Sequence, residues 1–151
     1  MVTIRPWLII GKYRDTIDND LLARAHVGAL LHLVARIEPP GITTLYLPIK
    51  DGEPLDAATL RRGVDFVLAQ RDSGKTVLVA CGAGISRSTS FAIAALKEAE
   101  GLPLLATARK IRRLHPAGLP HMALWSSLCL HYQEPDDYLA LIRATEPEEH
   151  R

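Results

Sequence analysis

The residues best suited to chemistry lie in one stretch, VLVACGAGISRST, at positions 77–89. This stretch places Cys81 at the end of an apolar run and Arg87 at the far end of a small, glycine-containing loop. A loop with so little side-chain bulk can turn its backbone N–H groups inward around an anion. The helical pattern that follows, Ser88–Glu100, adds a helix N-terminus, which favours negative charge. The stretch therefore predicts a phosphate site.

Within this stretch, Cys81 and Arg87 have the chemistry that attack on phosphorus requires. A thiol surrounded by amides, a helix N-terminus and a cation ionises readily, and the thiolate is a strong nucleophile. The planar guanidinium of Arg87 can hold two phosphoryl oxygens at once. The alternative for a cysteine is an inert core residue, which is our interpretation of Cys129. The alternative for Arg87 is a surface ion pair, which is awkward for a cation at a helix start.

The rest of the chain must form the elements that hold this loop. Four apolar runs are predicted strands: Trp7–Ile10, Ala29–Val34, Leu45–Ile49 and Thr76–Ala80. Helical periodicity and caps predict helices over Asn19–His26, from the cap Asp56 to Arg71, Ser88–Glu100, Pro103–Leu114, His121–Tyr132 and Asp136–Ala144. Strands that alternate with helices predict an α/β fold with a mostly parallel sheet covered on both faces.

Asp51 is the candidate general acid. It follows the predicted strand Leu45–Ile49, and sites in parallel sheets lie beyond the carboxyl ends of the strands. The same edge is expected to carry Cys81, so two separate strands should deliver chemical groups to the same rim. The alternative is that Asp51 and Gly52 are only a turn dipeptide. Glu53 and Asp56 are fallback acids, although Asp56 is better explained as a helix cap.

Composition narrows the class of protein. The length of 151 residues is typical of one domain. Hydrophobic residues make up 48% of the chain and charged residues 23%, and neither value indicates disorder. A net charge of +1 gives no overall attraction for nucleic acid or an acidic membrane. No apolar run is long enough to cross a bilayer, and the N-terminus has no signal-peptide pattern. We expect a cytoplasmic protein with a frayed tail over Glu146–Arg151.

Cysteine and histidine spacing gives no sign of a metal or a disulfide framework. The chain has two cysteines, and neither forms a metal-ligand pattern with the histidines. The histidines at 26, 32, 115 and 131 are interpreted as structural or exposed. We expect no metal and no cofactor, and a reducing setting suits a free nucleophilic thiol.

The pattern C-x-x-G-x-x-R-S resembles the signature loop of the dual-specificity class of cysteine-dependent protein tyrosine phosphatases. Its residues are Cys81, Gly84, Arg87 and Ser88. The resemblance extends from about Trp7 to about Tyr132 and includes the segments WLIIGKYRD, LYLPIKDGEP and HPAGLPHMALW. It implies a phosphatase-type α/β fold.

The resemblance also implies an activity and roles for the site residues. The reaction would be hydrolysis of phosphotyrosine, and of phosphoserine or phosphothreonine, through a phosphocysteine at Cys81. Asp51 would be the general acid. Ser88 would form a hydrogen bond with the cysteine sulfur, with an N-cap serine as the alternative. The phosphate would be bound by Arg87 and the backbone of the loop, namely Gly82, Ala83, Gly84, Ile85, Ser86 and Arg87. The expected partners are phosphorylated proteins or peptides, and the expected state is a monomer.

Two residues depart from the family pattern. Residue 80 is alanine where the family usually has histidine, and residue 121 is histidine where asparagine commonly braces the loop. Ala80 keeps open the alternative of a phosphoprotein-binding scaffold without efficient turnover. A phosphatase acting on a lipid or nucleotide is a third interpretation. A rhodanese-type sulfur transferase is a fourth, and Ser88 and Asp51 argue against it.

The loop and one helix bear on the substrate class. Ala83 and Ile85 are uncharged, which favours phosphoproteins over polyanionic lipids or RNA ends. A basic cluster on the helix Pro103–Leu114 is interpreted as a solvated face, with attraction of acidic peptides near the rim as the alternative. The cluster comprises Arg109, Lys110, Arg112 and Arg113.

Overall fold

The computed structural model describes residues 1–143 of the 151-residue chain. Within this range the strands are β1 Val2–Arg5, β2 Leu8–Lys12, β3 Val27–His32, β4 Thr43–Tyr46 and β5 Thr76–Cys81. The helices are α1 Tyr13–Thr16, α2 Asn19–Arg24, α3 Ala57–Asp72, α4 Arg87–Glu100, α5 Leu104–Leu114, α6 Met122–Tyr132 and α7 Tyr138–Ile142.

The strands form one sheet in the order β1-β2-β5-β3-β4. Strands β2, β5, β3 and β4 run parallel, and β1 is antiparallel to β2. The predicted α/β class with a mostly parallel sheet is thus confirmed. Strand β5 lies in the middle, which explains why Val77–Ala80 is a continuous apolar run that is fully buried. The loop that begins at Cys81 is therefore carried by the most enclosed strand.

The two faces of the sheet are covered unequally. The larger core lies between the sheet and the longer helices, with residues from α3, α4, α5 and α6. A smaller cluster that includes Ile9, Leu22 and Leu78 fills the other face, where α2 packs. Gly63 of α3 lets α4 approach closely, because a Cβ there would lie 2.3 Å from the Phe91 ring. This contact seats α4, whose N-terminus borders the loop.

Most predicted elements are present, and several ends differ. Asp56 caps α3 as predicted, by accepting from Thr59 N at 2.8 Å, and Asp18 caps α2 by accepting from Leu21 N at 3.0 Å. Helix α4 stops at Gly101, whose φ is +68°. Strand β1 and the short helix α1 were not predicted. Four-residue elements have too little periodicity to stand out in a sequence.

The predicted strand Leu45–Ile49 is wrong in its extent, because the strand is Thr43–Tyr46. Pro48 has no N–H to donate to the ladder, which favours an early end. The chain nevertheless continues to form backbone hydrogen bonds with the end of β3 and the residue after it. Leu47 N donates to His32 O at 2.9 Å, and Ile49 N donates to Leu33 O at 3.0 Å. These two bonds carry the chain toward Asp51 along the same edge of the sheet.

The described residues include only part of the C-terminal segment for which predictions were made. The helix expected over Asp136–Ala144 is Tyr138–Ile142, because Asp137 serves as its N-cap and accepts from Ala140 N at 3.0 Å. Ala144 and the tail Glu146–Arg151 lie outside the described residues. No helix in residues 1–143 is long and apolar enough to cross a membrane.

Candidate active site

Cys81 and Ser88 lie in contact at the bottom of the loop between β5 and α4. Cys81 is 2% exposed and Ser88 is fully buried. Their Sγ and Oγ atoms are 3.2 Å apart, within hydrogen-bond distance for sulfur. Ser88 occupies the second position of α4 and Ser86 the N-cap position, so the N-cap alternative for Ser88 is wrong. The hydroxyl of Ser88 is thus available to the sulfur.

The carbonyl groups of the loop are tied to the surrounding protein. Gly82 O accepts from Tyr13 N at 3.1 Å, and Ile85 O accepts from Leu119 N at 2.9 Å. Gly84 O lies 2.8 Å from His115 Nε2. Since a carbonyl can only accept, this His115 nitrogen carries the hydrogen. Ser86 O accepts from the hydroxyl of Ser90 at 2.8 Å. These four carbonyls therefore face partners outside the loop.

The orientation of the amides follows from that of the carbonyls. In a trans peptide, the C=O of one residue and the N–H of the next point in opposite directions. The N–H groups of Ala83, Ile85, Ser86 and Arg87 therefore point away from those partners. Within residues 1–143, no amide from Gly82 to Arg87 donates to a protein acceptor. Unpaired backbone amides that are close together in a loop can bind an oxyanion.

Gly84 allows the loop to close against the end of β2. Its φ is +70°, a region that L side chains rarely adopt, and a Cβ there would lie 3.0 Å from the carbonyl oxygen of Gly11. Strand β2 thus supports the loop through direct backbone packing. Any larger residue at position 84 must push the loop away from the strand.

Arg87 brings a guanidinium group to the end of the loop. It is half-buried, and its Nη1 donates to Ile49 O at 3.2 Å. Its Nη2 lies close to the first turn of the loop, 3.4 Å from the position of a Cβ on Gly82. No carboxylate in residues 1–143 forms an ion pair with it. The remaining donors are free to hold an anion.

Asp51 lies on the rim of the same site, as the sequence predicts. The residue is exposed, and its Oδ1 accepts a hydrogen bond of 2.7 Å from the hydroxyl of Ser86. Gly52 has φ +81°, so the turn interpretation also holds, and the turn presents Asp51 to the loop. Of the fallback acids, Asp56 is engaged by Thr59, whose amide and hydroxyl hold the pKa of that carboxyl below its ordinary value.

His121 braces the loop through its backbone rather than its ring. Its N–H donates to Ser86 Oγ at 2.7 Å. Its Nδ1 accepts from Ala123 N at 3.0 Å and so caps α6. The ring lies beside the turn after Asp51, with Nε2 3.5 Å from the position of a Cβ on Gly52. The substitution of the family's asparagine therefore leaves a connection between residue 121 and the loop.

A buried histidine supports the loop from the neighbouring strand. His32 is paired with Ala80 across β3 and β5, and both are fully buried. Its Nδ1 accepts from Val34 N at 3.3 Å and Ala35 N at 3.1 Å, so its hydrogen is on Nε2, 3.2 Å from Thr16 Oγ1. Burial lowers the pKa of His32. The ring packs edge-on against Tyr13, whose amide holds Gly82 O.

Other candidate residues lie elsewhere or have other partners. Burial raises the pKa of the Cys129 thiol to about 12, in line with an inert core cysteine. Arg112 is only 6% exposed, so it is not part of a solvated face. It donates to the carbonyls of Gly118 at 2.9 Å and Leu141 at 2.7 Å and ties α7 to the body of the protein. Burial lowers its pKa. Arg109, Lys110 and Arg113 are exposed.

The sequence analysis missed two side-chain contributions to the site. His115 holds Gly84 O, and the hydroxyl of Ser86 connects Asp51 to the backbone of His121. Neither carries a local signal, since each partner is about thirty residues or more away along the chain. A histidine just after a helix and a serine just before one both suggest ordinary capping roles.

Comparison with known proteins agrees with this geometry. No protein-family model matches the chain. The chain is 27% identical over 137 residues to rat (Rattus norvegicus) dual specificity protein phosphatase 5, covering 88% of this chain and 36% of that protein. It is 31% identical over 125 residues to human (Homo sapiens) dual specificity protein phosphatase 12, covering 77% of this chain and 36% of that protein. The chain thus spans about a third of the length of these curated relatives.

A solved structure extends the comparison to the fold. The crystal structure of human DUSP28 matches with a TM-score of 0.81 and 26% identity, covering 88% of this chain and 96% of that chain. The sequence comparison and the structure comparison thus identify related proteins of the same family. This chain belongs to the dual-specificity protein phosphatase family.

Proposed function

We propose that this chain hydrolyses phosphate monoesters of phosphoproteins, chiefly phosphotyrosine, through a phosphocysteine at Cys81. The observation that carries the proposal is the position of the Cys81 sulfur. It lies 3.2 Å from the Ser88 hydroxyl, at the base of a loop whose carbonyls are bonded outward. That arrangement leaves amides to bind phosphoryl oxygens next to a nucleophile.

In the first step, the thiolate of Cys81 attacks phosphorus. The S–P bond forms as the bond from phosphorus to the leaving oxygen breaks. Arg87 and the loop amides bind the three non-bridging oxygens and stabilise the charge that develops there. Asp51 gives its proton to the leaving oxygen, so that a phenol departs rather than a phenolate.

In the second step, water attacks the phosphocysteine. Asp51, now ionised, takes a proton from the water as the new P–O bond forms. The S–P bond breaks and returns the electron pair to sulfur. The hydroxyl of Ser88 donates to that sulfur and stabilises the thiolate as it leaves. Splitting hydrolysis in this way replaces one difficult displacement by two easier ones.

The loop supports a phosphoprotein substrate. Ala83 and Ile85 add no charge, and Ile85 is 42% exposed, so the loop offers an apolar surface beside the phosphate. A phosphotyrosine ring suits such a surface better than a polyanion does. The related proteins named above are themselves dual-specificity phosphatases, which supports phosphoserine and phosphothreonine as further substrates.

One further candidate follows from a specific observation, and another would use the same chemistry. Ala80 stands where the family usually has histidine, which favours a scaffold that captures phosphoproteins without turnover. A phosphatase for a non-protein monoester uses the same loop chemistry.

We take residues 1–151 as one catalytic domain that acts as a monomer in the cytoplasm. Both of its cysteines are free thiols, and a reducing compartment suits that state.

Hydrolysis of p-nitrophenyl phosphate without added metal tests the proposal. We expect steady release of p-nitrophenolate that vanadate inhibits, because vanadate mimics five-coordinate phosphorus. Phosphotyrosine peptides should then be hydrolysed with a higher kcat/KM than inositol phospholipids or nucleotides. Binding of phosphopeptide with no turnover would favour the scaffold. A preference for the lipids or nucleotides would favour the third interpretation.

A further inference from the structure

The hydroxyl of Ser86 joins two segments that are distant in the chain. Its Oγ accepts from His121 N at 2.7 Å and donates to Asp51 Oδ1 at 2.7 Å. Ser86 occupies the N-cap position of α4, yet its side chain makes no cap hydrogen bond to that helix. The usual role of a serine before a helix is therefore absent, and the hydroxyl is used between segments instead.

The direction of these bonds follows from the number of hydrogens. A hydroxyl has one hydrogen to donate and lone pairs that accept. The amide of His121 can only donate, so it occupies a lone pair of Ser86. The single hydrogen of Ser86 is then directed to Asp51 Oδ1. This leaves Oδ2 of Asp51 as the oxygen without a protein partner among the described residues.

Little else in the protein directs this carboxylate. Residues 50–55 lie outside helices and strands, and Asp51 is exposed. Among residues 1–143, the Ser86 hydroxyl is the one hydrogen-bond donor to the Asp51 side chain. The ring of His121 lies against Gly52 and so limits the turn on its other side. The orientation of Asp51 thus depends on one hydroxyl that belongs to the phosphate loop.

We infer that Ser86 is a positioning residue that holds Asp51 Oδ1 and so leaves Oδ2 to carry the proton for the leaving group. The inference rests on the proposed function. In the acid form, the Oδ2 proton passes to the leaving oxygen as the P–O bond breaks, and Oδ2 later takes a proton from water. Ser86 itself exchanges no proton with the substrate.

A series of aryl phosphates of increasing leaving-group basicity tests this role. The value of kcat/KM reports the steps up to formation of the phosphocysteine, in which the acid acts. A general acid matters most when the leaving oxygen is basic. For Ser86→Ala we expect kcat/KM to fall about tenfold for phenyl phosphate and little for 2,4-dinitrophenyl phosphate. Only the basic phenyl leaving group needs a well-directed acid, so only its loss is slowed when Asp51 is misdirected.

Three companion variants make the test specific. Ser86→Thr keeps a hydroxyl and should restore most of the loss. Ser90→Ala is the matched control, since the Ser90 hydroxyl donates to Ser86 O and does not touch Asp51; it should leave the dependence on the leaving group unchanged. Asp51→Asn should show the steepest dependence. Adding Ser86→Ala to it should change that slope no further, because both changes remove the same function.

The outcomes separate the inference from the proposed function. An equal loss for all esters, or a further steepening in the double variant, would overturn the role of Ser86 while leaving the phosphatase intact. So would a Ser86→Ala enzyme with the wild-type slope. If the wild-type chain hydrolyses none of these esters, the proposed function itself fails.

Discussion

The phosphate loop, residues 81–87, and the acid segment, residues 50–55, meet at one site but are held in different ways. The loop lies between the central strand β5 and helix α4, and its carbonyls are bonded to four other groups. The acid segment is mostly exposed, and its carboxylate is held by one hydroxyl. In the proposed mechanism, anion binding is thus preorganised by the backbone, whereas proton transfer depends on a side chain. Changes that displace the loop backbone should affect binding and chemistry together, and changes to the side chains that transfer or direct the proton should affect chemistry alone.

The largest expected effect is that of Cys81→Ser. Turnover of p-nitrophenyl phosphate should fall to background, because the variant has no thiolate to attack phosphorus. Binding of a phosphotyrosine peptide, measured by calorimetry, should persist because the amides and Arg87 remain. The matched control is Cys129→Ala, which removes a buried thiol whose pKa is raised to about 12 and should keep full turnover. Normal activity in Cys81→Ser would exclude the covalent route.

Asp51→Asn should have the next largest effect. We expect kcat/KM for a phosphotyrosine peptide to fall about a hundredfold and one limb of its pH profile to flatten, since general acid catalysis is lost. Peptide affinity in the Cys81→Ser background should not change. Glu53→Gln is the control, as it removes a neighbouring carboxylate and should leave the profile intact. If both variants behave alike, the acid lies elsewhere.

Gly84→Ala tests the rigidity of the loop. We expect weaker phosphate binding and a loss of about 1–2 kcal/mol of unfolding free energy, because φ is +70° and a Cβ would lie 3.0 Å from Gly11 O. Gly74→Ala is the matched control, since its φ is +83° and nothing lies within 4 Å. Chemical denaturation and phosphate titration measure the two effects. Equal phosphate affinity in both variants would show that the loop tolerates the displacement.

The smallest expected effect concerns His32, which lies under the loop. Burial lowers its pKa below the ordinary 6.5, so below that pH the unfolded chain binds more protons than the folded one. The free energy of unfolding should therefore fall on acidification from pH 6.5, by up to about 1.4 kcal/mol per pH unit. His32→Asn should flatten this dependence, as measured by denaturant titration at several pH values.

His26→Asn is the control for that experiment. His26 is exposed and has φ +55°, which asparagine tolerates. Its replacement should leave the acid dependence of stability in place. A flattened curve in His26→Asn and not in His32→Asn would contradict the assignment of the buried group.

Much of the fold could be predicted because it depends on local patterns. Asp56 caps α3 as expected, and α4 ends at Glu100 as expected, because the next residue, Gly101, adopts a left-handed backbone conformation. The strand Leu45–Ile49 was mispredicted because its apolar residues lie in a segment bonded to β3 beyond the regular ladder. Strand β1 depends on pairing with β2, which the sequence of β1 does not display.

For the site, the amino-acid sequence was enough to bring the candidate nucleophile, the cation and the serine beside the sulfur together. Cys81, Arg87 and Ser88 occur within one strand-loop-helix unit, so their proximity follows from chain connectivity. The groups that hold that unit and the candidate acid became apparent only in the folded protein. The bonds from His115 to Gly84 O and from Ser86 to Asp51 join residues about thirty or more positions apart. Such contacts exist only after the sheet has brought the ends of its strands together, since no local pattern encodes which distant group a hydroxyl or an imidazole will meet.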